Sequence, residues 1–326
     1  MRRELKARTA EAFAPATITN FFAVHYDQKS RDLSHAGATG GGYILSKGAV
    51  TSATLVGAGK GRALDIIVDG NAKYDARTTR EAVQLLLEKS GKRPGKMRLE
   101  QRTQVPIGHG FGASAASAIS AVFATSTLLG LDLSKEQIAY FAHAAEIIQQ
   151  TGLGTVSAAY DGVGAGVIYE PGAPGVAKFR NVKVPAGAIV VTASLAPFRN
   201  DQVLSSESAV AKVNTLGTEA LSRVMEDPTL ECLAESGEWF SDKLDLMRAD
   251  VRALLKTAKS AGAAYASQNM IGHAMHAIAF QEDAEKVAAA LASSALKPRV
   301  DVLEIGSTKA GPLQERHYPT VTSSLV

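Results

Sequence analysis

The sequence predicts an α+β fold on three observations. At 326 residues the chain has room for roughly two domains of about 150 residues, each with its own core. That length excludes a peptide hormone or a disulfide-stapled miniprotein, and hydrophobic residues at 46% with charged residues at 21% are the balance of a globular chain. β-prone runs and helical stretches then follow one another in blocks, without the strict alternation of a doubly wound sheet.

Residues 7–14 alternate loosely and end at Pro15, a first strand entering a loop. A second strand spans 39–56 and opens on Gly40, Gly41 and Gly42, and a short one covers 64–68. Ala82, Val83, Leu85, Leu86 and Leu87 have helical spacing within 77–89, and Gly91 stops that run. A strand over 97–103 leads into a glycine-rich loop at 105–112 and an Ala/Ser-rich helix at 113–129. Ser134, with Gln137 three residues on, is a capping box that opens the next helix. Glycine-punctuated strands are expected at 163–169 and 187–194, and helical stretches at 202–225 and 229–260. A strand at 276–280, a helix at 281–293 and a strand at 299–305 complete the pattern. The domain boundary is placed near Pro185, giving 1–185 and 186–306, and the polar segment 307–326 reads as a loosely held tail.

The formal net charge of +3, from 35 Lys+Arg against 32 Asp+Glu, is too even to argue for nucleic acid. Arg2, Arg3, Lys6 and Arg8 form a basic arm, but no apolar h-region follows it, and no stretch reaches the roughly 18 apolar residues of a membrane span. The single cysteine, Cys232, cannot form an internal disulfide; it fits a reducing, cytoplasmic setting and is expected as a small buried side chain on a helix.

The segment from Pro106 through Gly108, His109, Gly110, Phe111, Gly112, Ala113 and Ser114 to Ala115 follows a strand and opens a helix. Glycines at alternate positions clear side chains from a place where backbone N–H groups can wrap an anion, and a helix N-terminus adds unpaired donors and a favourable dipole. The loop therefore reads as a phosphate cradle. It is not a Walker loop, because Gly59-Lys60 is flanked by Thr54 and Gly61. A dinucleotide fingerprint would need Asp132 at the end of a second strand, whereas Asp132 lies between two helices. Gly112-x-Ser114-x-Ala116 has the outline of a nucleophile elbow, with His273 as a downstream base, but the glycine run is longer than an elbow needs. His143 and Glu146 share one helix face ahead of Thr151-Gly152-Leu153-Gly154-Thr155. Read alone, Glu146 fits a surface ion pair and His143 a satisfied, partly buried imidazole; beside a phosphate loop, a carboxylate and the Ser114 hydroxyl suit Mg²⁺.

Ala14-Pro15-Ala16-Thr17-Ile18-Thr19-Asn20-Phe21-Phe22, the glycines around Gly40, the 106–116 loop, His143-x-x-Glu146 with Thr151 to Gly154, and Pro171-Gly172-Ala173-Pro174-Gly175 occur in one order along the chain. That order resembles the archaeal pantoate kinases of the GHMP superfamily of small-molecule kinases over about the first 205 residues. The likeness continues weakly through Ser267-Gln268-Asn269-Met270-Ile271-Gly272. The resemblance implies a two-domain GHMP kinase fold: an N-terminal α/β ATP-binding domain with left-handed βαβ-type character and a C-terminal ferredoxin-like α/β sandwich. It implies ATP on the 106–115 loop, Mg²⁺ on Ser114 and Glu146, and a small hydroxy acid near Thr19, Asn20, His143 and Arg199. A homodimer is the family's expectation. The implied reaction converts pantoate to 4-phosphopantoate on the way to coenzyme A. A mevalonate-3-phosphate 5-kinase or another mevalonate-pathway kinase is the alternative, and a catalytically silent ATP-binding homologue the third reading.

Departures from that family fall on the acceptor side. Thr155 stands in the place of a catalytic Asp, and Ala38 in that of a Ser. Val167 to Glu170 lack an expected basic residue, and Ala196-Pro197-Phe198-Arg199-Asn200 replaces a Gly-Pro-Ile-Ser-Thr-like stretch. Arg199 offers a guanidinium fork for a carboxylate or a second phosphate, and Asp161 is a candidate replacement for the missing carboxylate.

Overall fold

Two long antiparallel strands form the spine of the molecule, and their inter-strand turn is not its organising feature; the glycines along them are. The computed structural model describes residues 9–26, 32–57, 63–196 and 206–313. Strand β1 (Thr9–His25) pairs with β2 (Gly37–Gly57) from Thr9 opposite Thr54 to His25 opposite Gly37. Strand β3 (Ala63–Val68), helix α1 (Arg77–Ser90) and strand β4 (Lys96–Thr103) follow as a parallel crossover unit, with β4 antiparallel to β2.

Helix α2 (Ala113–Leu129) is buried almost all round. Its alanines and serines let it lie between the sheet and its neighbours α1 and α3 (Lys135–Ile148). Ser134 opens α3 as predicted: its hydroxyl accepts from Gln137 N–H at 3.2 Å, and the Gln137 side chain accepts from Ser134 N–H at 2.9 Å. A two-turn helix, α4 (Thr155–Asp161), precedes β5 (Ala165–Glu170) and β6 (Lys178–Val182). β5 pairs with the glycine end of β2, placing Gly40 to Tyr43 between β1 and β5. One core joins Leu86, Leu99, Ile119, Phe123 and Ala142 between sheet and helices.

The second sheet is built from β7 (Ala188–Ser194), then α5 (Glu207–Glu226), α6 (Leu230–Lys243), α7 (Ala249–Ser260), β8 (Tyr265–Gln268), β9 (Ala274–Phe280), α8 (Gln281–Ala292) and β10 (Arg299–Glu304). Its order is β10-β7-β9-β8, all antiparallel, the ferredoxin-like arrangement. Val191, Ala193, Met275 and Ala277 on one face pack on α7 and α8. Val190, Ala274 and Ile278 on the other join a core with Phe21 and Tyr43 of the first sheet and Val213 and Phe240 of α5 and α6.

Several sequence expectations are corrected. Pro15 does not end the first strand: it lies opposite Gly48, and the register shifts between Pro15 and Thr17, so the missing N–H falls at a bulge. The stretch 229–260 is two helices, broken at 244–248, where Asp245 takes φ 57°. β6, β8 and α4 were not predicted; each is short and lacks a periodic signal. The start of the polar tail is held in place: Ala310 is buried, β11 (Gly311–Pro312) pairs with β1, and Leu313 N–H donates to the Glu11 carbonyl at 2.9 Å. The basic arm and residues 314–326 lie outside the described residues. Among the described residues no helix is long and apolar enough to cross a membrane.

Gly217 in α5 lies where a Cβ would overlap the Phe22 carbonyl oxygen of β1. Gly→Ala in a helix interior ordinarily stabilises by up to about 1 kcal/mol. Gly217→Ala is expected to reverse that sign and destabilise by about 1–3 kcal/mol, measured by urea unfolding.

Candidate active site

The glycine-rich loop has the backbone that its sequence requires. Gly108, Gly110 and Gly112 take φ of 82°, 76° and 60°, a region that favours glycine. Gly112 is the N-cap of α2, with no side chain capping the first turn, so the helix presents unsatisfied N–H groups at its start. Helix α1 also begins without a side-chain cap, at Ala76. The N-termini of α1, α2 and α4 converge, because Thr78, Ser114 and Thr155, each in the first turn of its helix, line one cavity of about 910 Å³. Two of these, the starts of α1 and α2, carry no side-chain cap, and their positive dipole ends around one space make an anion site.

Hydroxyl groups tie these termini together. Ser114 Oγ donates to Thr78 Oγ1 at 3.2 Å, and Thr78 Oγ1 lies 2.9 Å from Thr151 Oγ1. Glu146 lies behind this group, 2% exposed. Its carboxylate accepts from Val156 N–H at 3.2 Å and from the Thr155 hydroxyl and N–H, capping α4. Gly152 packs against it so closely that a Cβ there would overlap Oε1. Burial pushes the Glu146 carboxyl up to about 7 against the pull of those donors. The sequence reading of a surface ion pair is therefore wrong for Glu146.

Away from the phosphate end the cavity runs between β1, β2, β5 and β6, past Thr19, Phe22, Gly41, Ile168, Phe179 and Asn181. This lobe is mostly apolar. Among the described lining residues, the charged side chains are Asp75 and Arg77 at the start of α1, paired at 3.2 Å.

The predicted site residues separate into three groups. Gly108, Gly110, Phe111, Gly112, Ala113, Ser114, Thr155 and Thr19 line the cavity, whereas Pro106, Ala115 and the buried Glu146 do not. His109 lies outside the lining as well. Its ring is turned away, with Nδ1 2.8 Å from the Ile107 carbonyl and Nε2 2.7 Å from that of Leu195. Asn20 and His143 are corrections. Asn20 follows Thr19 on the strand and faces the other way, donating to Tyr43 Oη and to the Leu233 carbonyl, each at 3.1 Å. His143 is fully buried in α3, with Nε2 3.0 Å from the Leu33 carbonyl, and burial lowers its pKa. Asp161 accepts from Gly175 N–H at 3.0 Å in the 171–175 turn, outside the cavity, so it does not replace the missing carboxylate. Arg199 lies outside the described residues. Sequence reasoning missed Thr78 and gave Thr151 no role of its own within its Thr-Gly-Leu-Gly run; two consecutive threonines at a helix start, Thr78 and Thr79, were the available signal for the first.

The nucleophile-elbow reading finds no base. Ser114 bonds to Thr78, while His273 sits between Asp250 Oδ2 at 2.9 Å and the Ala196 carbonyl at 3.0 Å.

With that geometry, residues 77–162 match the family model described as the GHMP kinases N terminal domain. A solved structure described as a phosphotransferase related to the CoA biosynthesis pathway superposes with a TM-score of 0.82 at 24% identity, covering 93% of this chain and 98% of that one. The chain has the GHMP kinase fold. The homoserine kinase structure from Cytophaga hutchinsonii shares the GHMP architecture with a TM-score of 0.67 at 18% identity, over 96% and 99% of the two chains. In sequence, the chain is similar to the pantoate kinase of Thermococcus kodakarensis, 27% identical over 84% of this chain and 89% of that protein. It is also similar to the mevalonate kinase of Pyrococcus furiosus, 38% identical over 32% of this chain and 31% of that protein. The chain thus matches about a third of the length of the mevalonate kinases.

The buried groups of this GHMP fold set its response to pH. Glu146, raised from 4.5 to about 7, contributes stability that is complete below about 4.5 and is lost as pH rises through about 7. His276 of β9 is lowered by burial from 6.5 to about 3, so its contribution is present above about 6.5 and is lost as pH falls. The two oppose each other between about pH 5 and 6.5. Glu146→Gln is expected to expose the acid sensitivity, steepening the slope of unfolding free energy there by up to about 1.4 kcal/mol per pH unit; urea unfolding across that range in EDTA checks it.

Proposed function

We propose that the protein is an ATP-dependent phosphotransferase that phosphorylates a hydroxyl of a small hydroxy acid. The observation that carries this is the convergence of the two uncapped N-termini of α1 and α2 and a positive-φ glycine loop on a cavity that continues into an apolar lobe. The loop N–H groups hold the triphosphate, and the lobe past Thr19, Phe22 and Phe179 holds the branched carbon skeleton of the acceptor.

The donors at the phosphate end fit Mg²⁺. They are all oxygens, and Glu146 is a buried carboxylate whose described partners are N–H and O–H donors, with no cation among them. Among the described residues no group of three His, Cys, Asp or Glu forms a metal site, so the nucleotide's own phosphates would complete the coordination. Ser114 in the lining and Glu146, directly behind Gly152, are the residues that would hold the ion, which would there neutralise phosphate charge. Ser114 orients its hydroxyl through Thr78, and Thr155 fixes the Glu146 carboxylate. The carboxylate in the described lining, Asp75, belongs to the start of α1 beside Arg77. Transfer in this site therefore depends on positioning and electrostatic stabilisation, which suffices for phosphoryl transfer.

Pantoate is the acceptor that we favour. Its support is the extent of similarity to pantoate kinases, including 26% identity over 82% of this chain and 86% of the Methanospirillum hungatei protein. A mevalonate derivative is the second reading, favoured by the higher identity of the shorter match to mevalonate kinases.

ADP release measured with pantoate, mevalonate, mevalonate 3-phosphate, shikimate and homoserine is expected to be highest with pantoate. Ser114→Ala is expected to lower kcat/KM by about a hundredfold. Turnover of none of these acceptors, with nucleotide still bound, would establish the silent-homologue reading instead.

A further inference from the structure

Between the two sheets runs a seam of buried polar side chains that the phosphate site does not use directly. His276 projects from β9 into it, beside Ser267 and Thr192 on the neighbouring strands, with its ring 5.3 Å from that of Tyr43. His276 Nδ1 lies 2.8 Å from Asn269 Oδ1, while Nε2 has no partner among the described residues. Burial keeps this imidazole neutral, so its one proton sits on Nδ1, where an acceptor is present. That donor fixes which way the Asn269 amide faces: oxygen toward His276 and NH₂ toward the carbonyl of His109, at 3.3 Å. The turn after Asn269 is packed onto the same peptide. Gly272 lies where a Cβ would overlap the His109 carbonyl group, and Asn269 Cβ is 2.9 Å from where a Gly110 side chain would begin. Met270 N–H also anchors this turn to the Thr19 carbonyl of β1 at 3.0 Å.

We propose that Asn269, oriented by His276, is a positioning residue that locks the His109–Gly110 peptide of the phosphate loop with its N–H toward the bound nucleotide. In a planar trans peptide the C=O and the following N–H point opposite ways. Holding the His109 oxygen at the rear therefore aims the Gly110 N–H forward, on a residue that lines the cavity. Glycine at 110 makes the reverse orientation sterically accessible, and that orientation would turn a carbonyl dipole against phosphate oxygens. The amide of Asn269 removes that alternative. This inference rests on the nucleotide-binding reading above.

The test is calorimetric MgADP affinity from pH 5.5 to 8, expressed as the ratio of variant to wild type. Asn269→Asp keeps the shape but loses the donor, and is expected to weaken binding about tenfold at pH 8. Affinity should recover toward wild type as pH falls, because the protonated carboxyl can again donate to the His109 oxygen. The titratable side chains facing the position are His276 and, behind it, Tyr43; burial holds both neutral across this range in the wild type, and in Asn269→Asp the new carboxyl shares its proton with His276. A second pair covers a folding failure of the first variant: His276→Leu should weaken MgADP binding several-fold, and His276→Gln, which retains a donor, should restore most of it. Unchanged affinity in Asn269→Asp at every pH, or equal loss in both His276 variants, would overturn the inference alone. Absence of MgADP binding by the wild type would overturn the phosphotransferase reading along with it.

Discussion

The close approach of backbone to backbone around the glycine-rich loop is the constraint on which the rest of the structure depends. Thr17 N–H of β1 donates to the Phe111 carbonyl at 3.0 Å, so the loop is fastened to the sheet just where the β1 ladder slips register. Gly112 has no room for a side chain between Thr17 and Thr155, and Gly272 lies flat on the His109 peptide. Segments from both sheets therefore meet on one short stretch of chain. Side chains at these contacts would force the layers apart and remove the cavity between them.

That packing also decides the electrostatic character of the site. Among the described residues its positive potential comes from helix starts, fixed by the fold, and only to a small extent from side-chain cations: Arg77 is paired with Asp75. Dipoles held by packing need no reorganisation as charge shifts between phosphate oxygens, which is the condition for electrostatic catalysis in a water-poor cleft. The glycine floor of the apolar lobe follows from the same crowding. Gly42 faces the Ile18 carbonyl so closely that a Cβ would overlap it, and β1, β2 and β5 can then lie as one continuous wall.

Buried polar residues account for most of the difference between the site as read and the site as folded. His143 and Glu146 share a helix face three residues apart, and the sequence suggested that both serve the cleft. The fold sends His143 to the Leu33 carbonyl and leaves Glu146 beneath Gly152, capping α4. Thr19 and Asn20 are adjacent, and strand alternation gives the cavity only the first. Thr78 carries no motif and Thr151 only opens the Thr-Gly-Leu-Gly run; they join Ser114 only because α1 and the 149–154 loop are packed beside α2. Such partners, 36 and 73 residues apart, have no local signature.

Local rules, by contrast, needed nothing from the tertiary structure. The capping box at Ser134, the left-handed glycines of the loop, the stop at Gly91 and the full extent of α2 are consequences of near-neighbour sterics and hydrogen bonding, and all were legible as sequence. The tertiary structure alone decided which polar side chains reach the cavity, that β1 continues through Pro15, and that the segment after Ile305 returns to pair with β1. Those outcomes depend on contacts between residues remote in sequence, where burial and the pairing of otherwise unsatisfied polar groups override the preferences of any short segment.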